Sequence, residues 1–358
     1  MSRIEPKEIQ RIIVRSPTWV GDAVMSLPAL SALRRLFPHA EITLAAPPGT
    51  AEIFLDSNSV NQVLAQRSGG AFAALTNARQ LRRGRFNLAI LFQNAFAAAV
   101  TAFLAGIPVR VGYATDHRGA LLTSALPLPA WKDERHESFY YLNIVSELEQ
   151  TIFGSSSVAQ SPAGFDLPVS TARKQTARGL VTKSGRTTGQ PLAILCPGSV
   201  NSRAKRWPAE RYAELADRFF DAGLDVVLVG SPGEIEVSND VAARTRHRPI
   251  LLTGKTTVGD LVALISIADL LVTNDTGPAH IGAALGTPTL VIFGPTNPLT
   301  TYPLSSQAEL IRQPPDCAPC MLRDCPIDHR CMTSISVDEV FRRALAMHER
   351  RSAQLIGG

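Results

Sequence analysis

The feature that most constrains this chain is an alternation of short apolar runs with segments of helical periodicity, repeated in each half of the sequence. In the first half the apolar runs are 12–14, 41–46, 87–92 and 110–113, and helical patterns occupy 22–37, 48–55 and 95–105. In the second half the runs are 192–196, 225–229, 249–252, 270–273 and 289–293, with helical patterns at 208–222, 233–245, 257–267 and 278–285. Such alternation predicts βαβ units and parallel sheets covered by helices on both faces. Because 358 residues are more than one core usually serves, we expect two Rossmann-like, doubly wound α/β domains facing a cleft.

The domain boundaries follow from a change in composition. A helix over 136–153, with apolar residues at 139, 142, 145 and 148, precedes a stretch at 154–189 that is rich in Ser, Gly, Thr, Gln and basic residues. This composition is typical of a connector, although it holds a predicted helix near 170–183. We therefore expect a first domain at 1–165, a linker at 166–189 and a second domain at 190–335. The remaining segment, 336–358, contains a helix near 337–348 that could pack back on the first domain.

Composition excludes several classes of protein. The net charge of +5 is a mild excess, and with 6% aromatic residues and no long basic run it does not indicate a nucleic-acid partner. The N-terminal segment is polar, without the apolar core of a secretion signal, so we expect a cytoplasmic protein. Residues 88–109 are long enough to span a bilayer, but Gln93 and Asn94 interrupt them, and we interpret them as a buried strand followed by an alanine-rich helix.

The loop after the first strand reads Ser-Pro-Thr-Trp-Val-Gly-Asp, residues 16–22. Gly21 suits a tight turn, and Asp22 either caps the following helix or, at the carboxyl end of a strand, serves as a general base. Pro28 removes a helix hydrogen bond, so we expect a kink there.

Two loops of the second half suit an anionic ligand. The first, 195–208, contains glycine, two serines and the cations Arg203, Lys205 and Arg206, and it is either an anion cradle or a solvated basic loop. The second, Thr-Asn-Asp-Thr-Gly at 273–277, ends at a helix whose free N–H groups would bind phosphate. Both follow strands at one sheet edge, which predicts a diphosphate site.

Each side chain of this predicted site has a second interpretation. Asp275 or Thr276 could cap the helix, and His280 could be a core histidine. Glu234, in the loop after another strand, suits a ribose diol or the N-terminus of a helix. No GxGxxG or Walker sequence follows a strand, which argues against a dinucleotide-dependent oxidoreductase.

Three motifs, in this order along nearly the whole chain, resemble those of glycosyltransferase family 9, the ADP-heptose:lipopolysaccharide heptosyltransferases. They are Trp19-Val-Gly-Asp22 with Ser26-Leu-Pro28, Ala204-Lys-Arg-Trp-Pro208, and Thr273-Asn-Asp-Thr-Gly277 with His280. The form Pro17-Thr-Trp-Val-Gly-Asp22 and the cysteine segment are more similar to the heptosyltransferase II branch than to heptosyltransferase I. Ser199-Val-Asn-Ser-Arg departs from the Gly-rich turn that such enzymes tend to have. The resemblance implies the GT-B fold and an inverting glycosyltransferase.

The resemblance also implies residue roles. Asp22 would be the catalytic base that takes a proton from an acceptor hydroxyl, while Lys205 stabilises the departing diphosphate of ADP. Glu234 would hold the ribose, and Asp275 would hold heptose hydroxyls or orient its loop. The donor-binding residues expected in this way are Gly21, Ser199, Lys205, Glu234, Asn274, Asp275, Thr276, Gly277 and His280. No cofactor or divalent metal is expected for catalysis.

The implied acceptor is the first heptose of the lipopolysaccharide inner core, a phosphorylated sugar anchored by lipid. We therefore expect a peripheral protein at the inner face of the cytoplasmic membrane. Alternatives are a transferase of the same fold with another nucleotide sugar or acceptor, such as heptosyltransferase I or a protein heptosyltransferase, and a nucleotide-sugar epimerase. A nonenzymatic metal-dependent binding module would leave the three loops unexplained.

Four of the five cysteines lie close together near the C-terminus, as Cys317, Cys320, Cys325 and Cys331, with His329 nearby. Four thiolates at such spacing could hold structural zinc or iron. Reduced, packed thiols are the other main interpretation, and disulfides are disfavoured in a cytoplasmic chain.

Overall fold

The computed structural model describes residues 9–67, 69–158, 164–186 and 189–356. The chain forms two compact units, Met1–Pro168 and Val169–Gly358, referred to below as unit 1 and unit 2. Each contains one six-stranded sheet in which every neighbouring pair of strands is parallel.

Unit 1 begins with a buried strand and alternates strands with helices. Its elements are β1 Arg11–Arg15, α1 Val20–Met25, α2 Leu27–Leu36, β2 Glu41–Ala46, α3 Pro48–Ala51, β3 Gln62–Ala65, α4 Gly70–Arg83, β4 Leu88–Leu91, α5 Phe96–Leu104, β5 Val109–Tyr113, β6 Ser124–Leu126 and α6 Glu137–Phe153. The strand order is β3-β2-β1-β4-β5-β6. This order reverses direction beside β1, and ligands of such sheets bind at the carboxyl ends of the strands near that point.

Unit 2 repeats the same topology. Its elements are α7 Thr171–Lys183, β7 Leu192–Cys196, α8 Ala209–Asp221, β8 Asp225–Leu228, α9 Ile235–Arg244, β9 Ile250–Leu251, α10 Val258–Ser266, β10 Leu270–Asn274, α11 Gly277–Leu285, β11 Thr289–Phe293, α12 Pro298–Thr301, β12 Ala308–Arg312, α13 Arg330–Thr333 and α14 Val337–Ile356. Its order, β12-β11-β10-β7-β8-β9, is the same doubly wound arrangement, with β7 and β10 adjacent at the switch point. The carboxyl ends of β7 and β10 therefore carry the two predicted anion-binding loops.

Buried apolar strands form the centre of each sheet. β7, β10 and β11 are buried along their whole length, as expected for strands covered on both faces. On one face of the second sheet, α8 and α14 close over Trp207, whose indole N–H donates to the Ile335 carbonyl at 3.0 Å. The predicted α/β class with two doubly wound sheets is confirmed.

Several local predictions are tested directly. The predicted interruption of the helix near Pro28 is confirmed. It separates two helices, because α1 ends at Met25 and Pro28 stands in the first turn of α2. Residues 88–109 divide into β4 and α5, as interpreted, and within the described part of the chain no helix is long and apolar enough to cross a membrane.

The connecting and closing segments are both helical. Most of the segment predicted as a linker, 166–189, is α7, which packs on α10 and donates from Arg173 to the Gly259 carbonyl at 2.6 Å. The last helix, α14, extends to Ile356 and packs against α8, β10 and β11 of its own unit. Packing of this helix on the first unit stays a prediction.

Candidate active site

The loop between β1 and α1 places Asp22 in the first turn of a helix. Trp19 is the N-cap residue and makes no side-chain cap, and Asp22 adds negative charge near the N-terminus of the helix. Gly21 is the second residue of α1 and has helical backbone, so the tight-turn interpretation of Gly21 is wrong.

A buried tyrosine from α6 holds the Asp22 carboxylate. The Tyr141 hydroxyl donates to Asp22 Oδ1 at 3.1 Å, and Tyr141 is 4% exposed. Burial raises the pKa of Tyr141 well above 10, and the charge of Asp22 raises it further. The phenol therefore keeps its proton and acts as a donor to the carboxylate.

A second carboxylate lies in the first turn of α6, near Asp22. Burial raises the pKa of Glu137, the ammonium of Lys132 opposes this shift, and the charge of Asp22 adds to it. Lys132 Nζ lies 3.6 Å from Glu137 Oε2 and 4.8 Å from the centre of the Tyr140 ring. Two carboxylates, a phenol and an ammonium thus share this edge of unit 1, an arrangement suited to moving a proton.

Buried arginine at the end of β1 supports the same loop. Arg15 Nη2 donates to Gln93 Oε1 at 3.1 Å, and Gln93 Nε2 donates to Thr18 Oγ1 at 3.0 Å. Burial lowers the pKa of Arg15 to about 10. Its Nε and Nη1 atoms are buried without a hydrogen-bond partner in the described structure, so the guanidinium places uncompensated positive charge beneath this loop.

In unit 2 the two predicted anion-binding loops meet through an ion pair. Lys205, at the end of a 3₁₀ turn, donates from Nζ to Asp275 Oδ2 at 2.9 Å and to the Asp275 carbonyl at 3.1 Å. Thr296 Oγ1 donates to the same carboxylate oxygen at 2.6 Å. The Asp275 side chain is 3% exposed while that of Lys205 is 25% exposed, so the ammonium is the accessible member of the pair.

Asn274 joins the same two loops from within. Its Oδ1 accepts from the Trp207 amide and from the Tyr212 hydroxyl, both at 3.1 Å. Its Nδ2 donates to the Pro197 and Gly198 carbonyls at 2.9 and 3.1 Å. Because these four bonds use the full capacity of the amide, Asn274 braces the loops and does not present its side chain to a ligand.

The N-terminus of α11 lies directly beside this pair. Thr276 is the N-cap residue without a side-chain cap, and Pro278 stands in the first turn. The capping interpretation of Thr276 is therefore wrong, and the first amides of the helix remain donors for an anion. Burial lowers the pKa of His280 to about 4, the charge of Asp275 opposes this shift and Lys205 adds to it, so the imidazole is neutral near pH 7.

Glu234 and Gly198 approach each other closely at the ends of β8 and β7. The Ser231 amide donates to Glu234 Oε2 at 2.7 Å, so the predicted role at a helix N-terminus is confirmed. A Cβ at position 198 would lie 2.2 Å from Glu234 Oε1, so only glycine allows this approach.

Ser199 is buried and its carbonyl accepts from Arg206 Nη2 at 3.0 Å. The basic loop at 195–208 is therefore folded, not a solvated basic loop.

The cysteine segment braces the Lys205 loop. His329 Nε2 lies 2.6 Å from the Ala204 carbonyl, the Ala204 amide donates to the Arg323 carbonyl at 2.9 Å, and Arg203 Nε lies 2.7 Å from Asp324 Oδ1. The five cysteines are free thiols. Burial raises the pKa of Cys331 to about 11, and the neighbouring thiols of Cys325, Cys320 and Cys317 add to this shift. No group of three or more His, Cys, Asp or Glu side chains in the described ranges is arranged to hold a metal ion. Among the described residues the cysteine segment therefore shows free thiols, and a zinc or iron site is not shown.

The sequence did not identify Tyr141 or Arg15. Tyr141 lies in a helix whose apolar spacing is that of a core-facing element, so its spacing gives no sign of a bond to Asp22. Arg15 left a weak signal, since it is a charged residue at the end of an otherwise apolar strand. Of the expected donor residues, Gly21 lies beside Asp22 in unit 1, and the other eight lie at the carboxyl edge of the sheet in unit 2.

Comparison with known proteins identifies the family of this chain. A model of glycosyltransferase family 9 (heptosyltransferase) matches residues 75–330. Lipopolysaccharide heptosyltransferase 2 of Escherichia coli (strain K12) is 32% identical over 314 residues, 84% of this chain and 88% of that protein. Lipooligosaccharide heptosyltransferase 2 of Haemophilus ducreyi is 30% identical over 319 residues, with the same coverage of 84% and 88%.

A solved structure extends the similarity to the whole fold. The structure of E. coli ADP-heptose lipopolysaccharide heptosyltransferase II matches with a TM-score of 0.82 at 27% identity, covering 96% of this chain and 100% of that one. The resemblance inferred from the three motifs is therefore confirmed: the chain belongs to glycosyltransferase family 9, the heptosyltransferases, and is a glycosyltransferase with the GT-B fold.

Proposed function

We propose that this enzyme transfers the heptosyl group of ADP-L-glycero-D-manno-heptose to the first heptose of the lipopolysaccharide inner core. The choice of substrates is supported by the relatives named heptosyltransferase 2, which are about as long as this chain. The observation that carries the proposal is the Lys205–Asp275 pair beside the N-terminus of α11. It combines an accessible ammonium with free helix amides, the two groups that a diphosphate needs.

Unit 2 binds the donor in this proposal. Lys205 and the Thr276 and Gly277 amides contact the diphosphate, and Asp275 holds the ammonium in place through the bond at 2.9 Å. The buried carboxylate of Glu234 binds the ribose diol, while Asn274 shapes the site through the loops that it joins. His280 contributes a neutral imidazole, because burial lowers its pKa to about 4.

Unit 1 supplies the base. The acceptor hydroxyl gives its proton to Asp22 while its oxygen attacks the anomeric carbon, and the bond from that carbon to the diphosphate oxygen breaks with inversion. The negative charge that develops on departing ADP is stabilised by Lys205 and the α11 amides, so we propose that no cofactor takes part in this step. Tyr141 holds the Asp22 carboxylate in one orientation during the transfer.

The acceptor also determines where the enzyme works. Because the first heptose is attached to a lipid anchor, we propose that the protein is cytoplasmic and binds peripherally at the inner face of the cytoplasmic membrane. The mild excess of basic residues is compatible with the anionic phospholipids there.

The direct test is transfer of labelled heptose from ADP-heptose to two acceptors that differ by one sugar. We expect transfer to Hep-Kdo2-lipid A and none to Kdo2-lipid A. Transfer only to the acceptor that lacks heptose would assign the enzyme to heptosyltransferase I. Release of a heptose epimer without any acceptor would favour the epimerase, and activity only with a protein acceptor would favour a protein heptosyltransferase.

A further inference from the structure

The outer surface of α4 and α5 in unit 1 combines exposed aromatic rings with arginine and lacks acidic residues. Between Asp56 and Asp116 the sequence contains no Asp or Glu, although the whole chain has 31 of them. The same stretch contains six arginines, at positions 67, 79, 82, 83, 85 and 110. A mildly basic protein thus concentrates unbalanced positive charge in one part of one unit.

Helix α4 separates an alanine-rich inner face from this outer face. Ala74, Ala78 and Leu81 are buried, and Ala78 and Leu81 belong to the hydrophobic core that includes the strands of unit 1. The outward residues Phe72, Leu75, Arg79 and Arg83 follow at spacings of three or four, so they form one row along the helix. Phe72 is 82% exposed.

Helix α5 continues this row at its C-terminal end. Phe103 and Leu104 are exposed in its last turn, and Arg82 Nη2 donates to the Leu104 carbonyl at 2.8 Å, which ties the ends of the two helices together. The Arg110 guanidinium lies 5.4 Å from the centre of the Phe103 ring. We call Phe72, Leu75, Arg79, Arg83, Phe103 and Leu104 the arginine–phenylalanine face.

Ordinary surface chemistry does not account for this face. Arginine in the last turn of a helix interacts favourably with the helix dipole, which explains Arg82 and Arg83 but neither Arg79 nor the exposed Phe72. Arg79 and Arg83 form no hydrogen bond or ion pair through their side chains with any residue that the structure describes. Apolar side chains exposed beside unpaired cations mark an interaction surface.

We propose that the arginine–phenylalanine face docks on an anionic phospholipid surface, with the arginines at the phosphates and the rings of Phe72 and Phe103 in the interfacial layer. A second copy of the chain fits poorly, because a symmetric contact would place arginine against arginine with no carboxylate on either side. Phe72 and Phe103 are rings on which bases could stack, but Leu75 and Leu104 are not, and this apolar share of the face favours lipid over nucleic acid. The inference rests on the proposed function in one respect, the lipid anchor of the acceptor.

The test is binding to vesicles of phosphatidylcholine alone and of phosphatidylcholine with an equimolar amount of phosphatidylglycerol. We expect the full chain to bind the anionic vesicles and to be released by high salt. Arg79→Gln/Arg83→Gln lowers the partition coefficient by about fivefold for each arginine removed. Phe72→Ser lowers it separately, without a change of charge. Because these side chains are exposed, the variants keep their thermal midpoints.

The matched control is Arg178→Gln/Lys183→Gln, which removes the same charge from exposed positions of α7 in unit 2. It should leave vesicle binding unchanged. Equal loss in both double variants would show that net charge alone acts and would overturn the proposal. Three other results would overturn the proposal as well. The wild type could bind vesicles equally with and without phosphatidylglycerol, or it could bind single-stranded RNA more tightly than vesicles. Phe72→Ser could also lose a dimer without losing vesicle binding.

A second assay separates this inference from the proposed function. Arg79→Gln/Arg83→Gln should transfer heptose to an acyl-free, soluble core acceptor as fast as the wild type and should be slower only with vesicle-anchored acceptor. If the variant is as fast as the wild type with the vesicle-anchored acceptor as well, the docking surface is contradicted. Failure of the wild type to transfer heptose to either acceptor would contradict the proposed function alone, because vesicle binding is measured independently.

Discussion

The Tyr141 hydroxyl donates a hydrogen bond of 3.1 Å to Asp22 Oδ1, joining α6 to the first turn of α1 across 119 residues of sequence. The phenol is buried, its pKa lies well above 10, and it therefore donates at every pH at which a transferase is assayed. A bond donated to a carboxylate favours the charged form over the protonated one. Tyr141 thus positions the proposed base and helps to keep it ionised.

Replacing Tyr141 with Phe removes this bond and keeps the ring that packs on Phe92, 5.6 Å between centroids. Losing a hydrogen bond to a charged group costs about 1.5–3 kcal/mol, so we expect kcat to fall by about tenfold or more with little change in the KM for donor. The acid limb of the kcat/KM profile should move to higher pH by about one unit, because the base then protonates more easily.

The control for that variant is Tyr140→Phe. Tyr140 is equally buried and adjacent in sequence, but its hydroxyl accepts from Asn94 Nδ2 at 2.8 Å. We expect its pH profile to match the wild type. If Tyr141→Phe also leaves the acid limb in place, Tyr141 has only a packing role.

Lys205 and Asp275 contribute differently to stability and to activity. Lys205→Met leaves the buried Asp275 carboxylate without its cation, which should lower the free energy of unfolding by about 3 kcal/mol. It should also lower kcat/KM by about 10²–10³-fold, because the diphosphate loses its charged donor. The double variant Lys205→Met/Asp275→Asn removes both charges, so we expect much of the stability to return while activity stays low. Recovery of activity together with stability would show that the pair is only structural.

His280 makes stability depend on pH in a defined direction. Burial lowers its pKa to about 4 in the folded state, against about 6.5 in an unfolded chain. Between these values the unfolded chain binds more protons, so the His280 contribution falls as the pH drops from about 6.5 to 4, by about 3 kcal/mol in total. His280→Gln should remove this part of the dependence of the free energy of unfolding on pH. Parallel denaturation midpoints of variant and wild type across that pH range would contradict it.

His329 tests whether the cysteine segment supports the donor site. Its Nε2 lies 2.6 Å from the Ala204 carbonyl, next to Lys205. His329→Ala should raise the KM for ADP-heptose by about fivefold, the value of one hydrogen bond, and leave kcat nearly unchanged. His329→Gln, which retains a donor, should recover part of the loss. Asp328→Asn is the neighbouring control, because Asp328 is exposed and pairs with Arg330. If Asp328→Asn raises the KM for ADP-heptose as much as His329→Ala does, a specific role of His329 is contradicted.

The sequence predicted the centre of each sheet because buried parallel strands are continuous apolar runs, as in Leu192–Cys196 and Thr289–Phe293. It did not predict β3 and β12, which lie at sheet edges and are only partly buried, so they lack that signal. Helix α4 was also missed, since its alanines and arginines give a weak apolar stripe.

The meeting of Lys205 with Asp275 was predictable because carboxyl ends of adjacent parallel strands share an edge. Their ion pair was not predicted, and neither was the use of all four hydrogen bonds of Asn274 inside the fold. Such details depend on packing between distant segments, which periodicity does not describe. Cysteine spacing left a metal site and reduced thiols as alternatives, because spacing along the chain does not fix the directions of side chains.

Turnover of Asp22→Asn tests the central claim most directly. Asparagine keeps the size of the side chain and its bond with Tyr141 but does not accept a proton. We expect transfer to Hep-Kdo2-lipid A to fall by about 10²-fold or more, with ADP binding unchanged because the residues proposed to contact the diphosphate and the ribose lie in unit 2. Turnover within a few-fold of the wild type would contradict the assignment of Asp22 as the base.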